Sequence, residues 1–75
     1  GDDGGVYPTG GDVTLQVLGS GRVTARIEER REIGYHGIPG MARRITLRLP
    51  DGVRVEGLQV GRGTLRFLDP RVRLA

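Results

Sequence analysis

Apolar and polar residues alternate with a period of two along most of this chain. Val13, Leu15 and Val17 are spaced by Thr14 and Gln16, and Val23, Ala25 and Ile27 by Thr24 and Arg26. Ile45, Leu47 and Leu49 are spaced by Thr46 and Arg48. The spacing returns in Val53-Arg54-Val55, Leu58-Gln59-Val60, Leu65-Arg66-Phe67 and Val72-Arg73-Leu74. Successive side chains of a strand point to opposite faces, so each segment places its aliphatic groups on one side. Arginine and threonine then cover the wet side, as in antiparallel strands packed on one face only.

The breaks between these segments carry turn chemistry. Gly19-Ser20-Gly21 reads as a hairpin turn, and Pro50-Asp51-Gly52 combines a fixed φ with a glycine that accepts φ > 0. Gly61-Arg62-Gly63 separates Leu58–Val60 from a strand over Thr64–Leu68, and Asp69-Pro70 ends that strand. Ala25 to Ile33 contains good helix formers, but Val23, Thr24 and Ile27 favour a strand and no capping residue opens a helix. It is expected to be a strand that runs into a loop. Residues 34–41 hold three glycines and a proline, which predicts a shaped loop. The fold class that follows is all-β: a small antiparallel β-sandwich or barrel of six to seven short strands. One domain spans 1–75, its first eleven residues forming a flexible glycine-rich segment.

Composition narrows this picture. Seventy-five residues allow one domain with a thin core, burying about 60–65% of the unfolded surface. There is no cysteine, hence no disulfide or thiolate–metal site, and the compartment stays open between bacterial cytoplasm and export. No apolar run approaches the roughly 20 residues that span a bilayer, so no membrane span is expected in this chain. All twelve basic residues are arginine, but nine acidic residues are mixed among them and the net charge is only +3. Glu28, Glu29, Arg30, Arg31 and Glu32 alternate in sign within one stretch. A nucleic-acid surface segregates its positive charge, so this mixture reads as a solvated face and argues against nucleic acid.

Candidate chemistry is sparse. Asp2 and Asp3 are adjacent in the glycine-rich start, and Glu28, Glu29 and Glu32 lie among arginines, so no pair of differently tuned carboxylates stands out. Ser20 is explained by its turn, and His36, the single histidine, cannot build a zinc site alone. Neither cofactor nor metal is expected. The three aromatics are Tyr7, Tyr35 and Phe67; Phe67 fits a core position, which leaves Tyr35, with His36 beside it, as the candidate ligand contact. An exposed aromatic beside a polar ring suits stacking on a sugar.

Residues 23–49, with Gly34, Tyr35, Gly37, Gly40, Met41 and Arg44 as the matching positions, resemble the distal C-terminal β-domain of α-glucosidases and α-xylosidases of glycoside hydrolase family thirty-one. Asp2, Asp3, Gly4, Tyr7 and Gly10 are similar to that domain's aspartate–aspartate–glycine start. The chain departs from the pattern at Arg62, which follows Gly61 where the family's turn ends. The resemblance implies a non-catalytic accessory domain with a structural or sugar-contacting role. Its partners would be other domains of a larger protein, or a second copy through an edge strand. Leu49-Pro50-Asp51-Gly52-Val53-Arg54-Val55 followed by Gly63-Thr64-Leu65-Arg66-Phe67 is also similar to the C-terminal β-region of minor pilins and pseudopilins. That resemblance implies a structural subunit of a fibre or secretion apparatus.

Overall fold

A computed structural model of the chain describes residues 6–7 and 9–75. It is all-β, with no helix among the described residues. The strands are β1 (Val6–Tyr7), β2 (Asp12–Val17), β3 (Gly21–Tyr35), β4 (Ile38–Arg48), β5 (Arg54–Val60), β6 (Arg66–Phe67) and β7 (Val72–Leu74). They form one antiparallel sheet in the order β6-β5-β4-β3-β2-β7, with β1 added to β3. The last strand returns to the first long one, so the sheet curls into a nearly closed barrel with its seam between β6 and β7. Of the two architectures the alternation allows, the chain adopts the barrel.

The predicted turns sit where the breakers placed them. Gly52 N–H donates to the Leu49 carbonyl at 2.9 Å, and Asp51 Oδ1 accepts from Val53 N–H at 3.0 Å. This closes the β4–β5 hairpin with side-chain help from the aspartate.

Three expectations are corrected. The strands are not all short: β3 spans 15 residues and β4 spans 11. The loop expected over 34–41 is the tip of their hairpin, with His36 and Gly37 alone outside the strands. Both have positive φ, 50° and 78°, which is the geometry of a two-residue primed turn between the paired Tyr35 and Ile38. The register then slips between Ile33↔Ala42 and Tyr35↔Ile38, and this bulge on the β4 side absorbs Pro39 and Gly40, which a regular ladder would not. Finally, Val53–Val55 and Leu58–Val60 belong to one strand, β5. Within the segment expected to be flexible, Val6–Tyr7 pairs with Arg31 and Arg30 of β3. The Asp2-Asp3-Gly4 motif lies outside the described residues.

The core is the barrel interior. Leu15, Ala25, Ile27, Ile45, Leu47, Leu49, Val55 and Val72 form it, with Leu15 and Leu47 fully enclosed. Val13, Val17, Val23, Leu65, Phe67 and Leu74 pack around them, so nearly every alternating aliphatic position read from the sequence is used. Gly57 faces the same interior, between Ile45 and Phe67 in the cross-strand register. A Cβ there would meet Leu65 Cδ1 at 2.8 Å and the Arg66 carbonyl oxygen at 3.1 Å. The missing side chain therefore lets the β5–β6 connection fold Leu65 back over the sheet.

A single extra residue interrupts the β3–β4 ladder. Ile27 lies opposite Leu47 but Glu29 lies opposite Thr46, so Glu28 is a bulge. Its carboxylate pairs with Arg54 on β5, two strands away, and approaches Arg48 at 3.9 Å. The Arg54 hydrogen bond, helped by the charges of Arg54 and Arg48, holds the Glu28 carboxyl below its usual range against the opposing effect of desolvation. Past the bulge the facing of β3 is inverted: Arg30 and Glu32 continue the inward face of Ile27, while Arg31 and Ile33 point outward.

Two substitutions test this packing. Gly57→Ala is expected to cost about 1–3 kcal/mol, because the added methyl displaces Leu65 or backbone. Leu47→Ala is expected to cost about 2–5 kcal/mol through the cavity it leaves. Urea unfolding measures both, and an unchanged midpoint for Gly57→Ala would rule out the close approach of Leu65.

Candidate functional site

The two residues singled out for ligand contact lie together at the hairpin tip. The Tyr35 and His36 rings meet edge to face, with centroids 4.3 Å apart and planes at 72°. His36 is exposed and Tyr35 is half-buried. The left-handed backbone of His36 gives that residue a turn-forming role, since a two-residue primed turn needs φ > 0 at both of its positions.

Tyr35 does not stand alone. It forms one wall of a groove of about 470 Å³ completed by Leu58, Val60, Thr64, Arg66 and Leu68. The inversion of facing puts Ile33 of β3 outside the barrel, and plain strand parity puts the β5 aliphatics there. Val55 points inward on β5, so Leu58 and Val60, of opposite parity on the same strand, point outward. Val60 lies opposite Ala42, and Ala42 opposite Ile33, which builds an apolar row across β5, β4 and β3 on the convex face. Ala42 is 1% exposed yet stands apart from the barrel core. Leu68, by contrast, is 90% exposed at the groove's edge. Ile38 and Met41, also exposed, lie on the β3–β4 hairpin beside Tyr35, where Gly61 N–H bonds the Met41 carbonyl.

Beside the apolar row runs a basic one. Arg66 lies opposite Leu58, Leu58 opposite Arg44, and Arg44 opposite Arg31. Glu56 reaches back to Arg44 at 3.2 Å. Arg31 and Arg66 make no ion pair among the described residues, and Arg31 Nε is buried with no hydrogen-bond partner there. The next row is acidic, with Glu29 and Glu56 flanking Thr46. The convex surface is thus banded, with Leu58 interrupting the basic row on β5 and Thr46 the acidic row on β4.

Sequence reading put Leu58 and Val60 on the packed face of a strand of their own and gave Leu68 only as the end of the strand over Thr64–Leu68. The signal was present: Val53-x-Val55 and Leu58-x-Val60 differ in parity, so within one strand they must face opposite ways.

Among the described residues, most of the carboxylates lie within ion-pair distance of an arginine. Asp12 faces Arg26 at 3.9 Å, Glu32 faces Arg43 at 3.6 Å, and Asp69 binds Arg71 at 2.8 Å. No group of three metal-capable side chains comes together among the described residues. No helix among them is long and apolar enough to cross a membrane. Comparison with protein-family models, with curated proteins and with solved structures finds no match.

Asp69 offers a direct electrostatic test. Its carboxylate accepts from the Arg71 side chain and then from the Arg71 backbone N–H, which holds it at about 2 instead of 3.8. Folding lowers its proton affinity, so its contribution is fully present above the ordinary carboxylate range. It is lost as pH falls through about 2. NMR titration of the Asp69 carboxyl carbon should give a depressed midpoint that returns to the ordinary range in Arg71→Gln. An ordinary midpoint in the unsubstituted chain would refute the pairing.

Proposed function

We propose that this chain is a non-catalytic accessory domain of a larger carbohydrate-active protein, docked to a neighbouring domain through the groove beside Tyr35. The observation that carries the docking is the groove itself. An almost fully exposed Leu68 borders Tyr35, Leu58 and Val60, and the exposed Ile38 and Met41 lie on the β3–β4 hairpin beside them, whereas Leu18 and Val53 are exposed singly and most other apolar strand residues line the barrel. Leaving such a side chain in water forgoes about 1.5–3 kcal/mol that burial would provide. The basic row of Arg31, Arg44 and Arg66 next to the apolar one defines the occupant: an apolar ridge with an acidic strip alongside. Charge of this kind selects and orients a partner more than it adds affinity.

The carbohydrate side of the reading is supported by the resemblance of residues 23–49 to the accessory β-domain of α-glucosidases and α-xylosidases. Tyr35 sits at the centre of that stretch and in the groove wall, so a sugar bound at the domain boundary would meet its ring. The pilin-like reading has no observation of its own here, since the Pro50-Asp51-Gly52 turn serves the barrel equally well.

A photoreactive amino acid at position 68 of the polypeptide, as made in its source cell, tests the docking. Mass spectrometry should map cross-links from that position to another domain of the same protein. Placed instead at Thr24, exposed on β3 away from the groove, the same probe should give none. Equal cross-linking from both positions, or none from position 68, would contradict the proposal. Leu68→Ser should leave the thermal midpoint of the isolated chain unchanged, because its side chain contributes nothing to the core. A fall of more than about 4 °C, the shift expected from roughly 1 kcal/mol in a chain this small, would place it in the core instead.

A further inference from the structure

The inverted facing of β3 also shapes the concave side of the sheet. Past Glu28, the inward positions are no longer aliphatic: Arg30 lies opposite Ile45, and Glu32 lies opposite Arg43, which lies opposite Gln59. Where the barrel interior meets solvent, Arg30, Arg43 and Gln59 surround Ile45 in a recess of about 380 Å³. That is the size of a small-molecule site, and barrel mouths are among the places such sites occur.

We propose that this recess binds a carboxylate-bearing saccharide unit, a uronic acid, with the carboxylate on Arg30 and Arg43 and the ring over Ile45. Three features select this chemistry. The first is charge. Arg43 is already half-satisfied by Glu32 at 3.6 Å, while Arg30 makes no ion pair among the described residues, so the described lining of the recess carries one uncompensated positive charge. A monoanion matches that balance; a dianionic phosphate would also face the Glu32 carboxylate. The guanidinium fork pairs with a carboxylate through two parallel hydrogen bonds.

The second feature is an acceptor. Gln59 Nε2 donates to the Gly63 carbonyl at 2.8 Å, which fixes the amide and leaves Oε1 to accept from a ligand. A sugar hydroxyl supplies the donor that a simple carboxylate lacks. The third is the floor: Ile45 is 8% exposed, an apolar patch suited to the C–H face of a pyranose ring. The recess lies on the concave side and the Tyr35 groove on the convex side, so either proposal can fail without the other.

The test is a titration of the isotope-labelled chain followed by NMR, with trigalacturonate as the probe. Saturable shifts are expected at Ile45, at the Gln59 side-chain amide and at the Arg30 and Arg43 Nε–H groups. Maltotriose, a neutral trisaccharide, should bind at least about tenfold more weakly, and so should acetate. Arg30→Gln should lose trigalacturonate binding by a similar factor while keeping its dispersed spectrum and melting point. If that variant unfolds, Gln59→Met serves in its place. It should weaken trigalacturonate several-fold and leave acetate unchanged. Four results would each overturn the proposal. They are no shift with trigalacturonate, equal binding of acetate, tighter binding of pentaglutamate, or shifts confined to Tyr35, Leu58 and Leu68.

Discussion

The shape and surface of this domain depend on one interruption in a ladder, the extra residue at Glu28. A 15-residue strand shared between two neighbours would otherwise keep Val23, Ala25, Ile27 and Ile33 on one face from end to end. The bulge allows the first half of β3 to line a barrel with β2 while the second half, inverted, extends toward the hairpin tip. Bulges bend a strand and increase its twist, and a small sheet needs both to close on itself. Glu28 is also tied across β4 to Arg54, so the kink is braced from the outside by an ion pair. Being exposed, such a pair specifies geometry more than it supplies stability.

From that inversion both candidate sites follow. On the convex face it brings Ile33 into line with Ala42 and Val60, creating an apolar row outside the core and, next to it, the groove at Tyr35. On the concave face it puts Arg30 and Glu32 where aliphatic residues would have continued the core, turning the barrel mouth polar. The mixed run from Glu28 to Glu32, which looks in sequence like an undivided solvated face, is split by the bulge between two surfaces with different chemistry.

The fold class was legible because period-two alternation and the turn residues agree. Leu15, Ala25, Ile27, Leu47 and Val55 reach the core as their spacing requires. The long hairpin was not legible, because Gly34, Gly37, Pro39 and Gly40 suggest a loop when read by composition alone. In the structure His36 and Gly37 make a two-residue turn, while a bulge accommodates Pro39 and Gly40. Nothing local marks Glu28 as an extra residue. Its position is decided by pairing with β4 and by Arg54, twenty-six residues away. Tyr35 was found as an aromatic without a core role, but its groove depends on the parity of β5 relative to Val55. Arg30 and Gln59 could not be singled out before the register was known.

The register across β3 and β4 is therefore the measurement that tests this account most directly. Backbone nuclear Overhauser effects in the labelled chain would report it residue by residue. Ile27 is expected opposite Leu47, then Arg30 opposite Ile45 and Arg31 opposite Arg44, with Glu28 unpaired. An unbroken ladder, with Glu29 opposite Ile45 and Arg31 opposite Arg43, would contradict it. That result would return Ile33 to the inner face and remove both the convex apolar row and the polar barrel mouth.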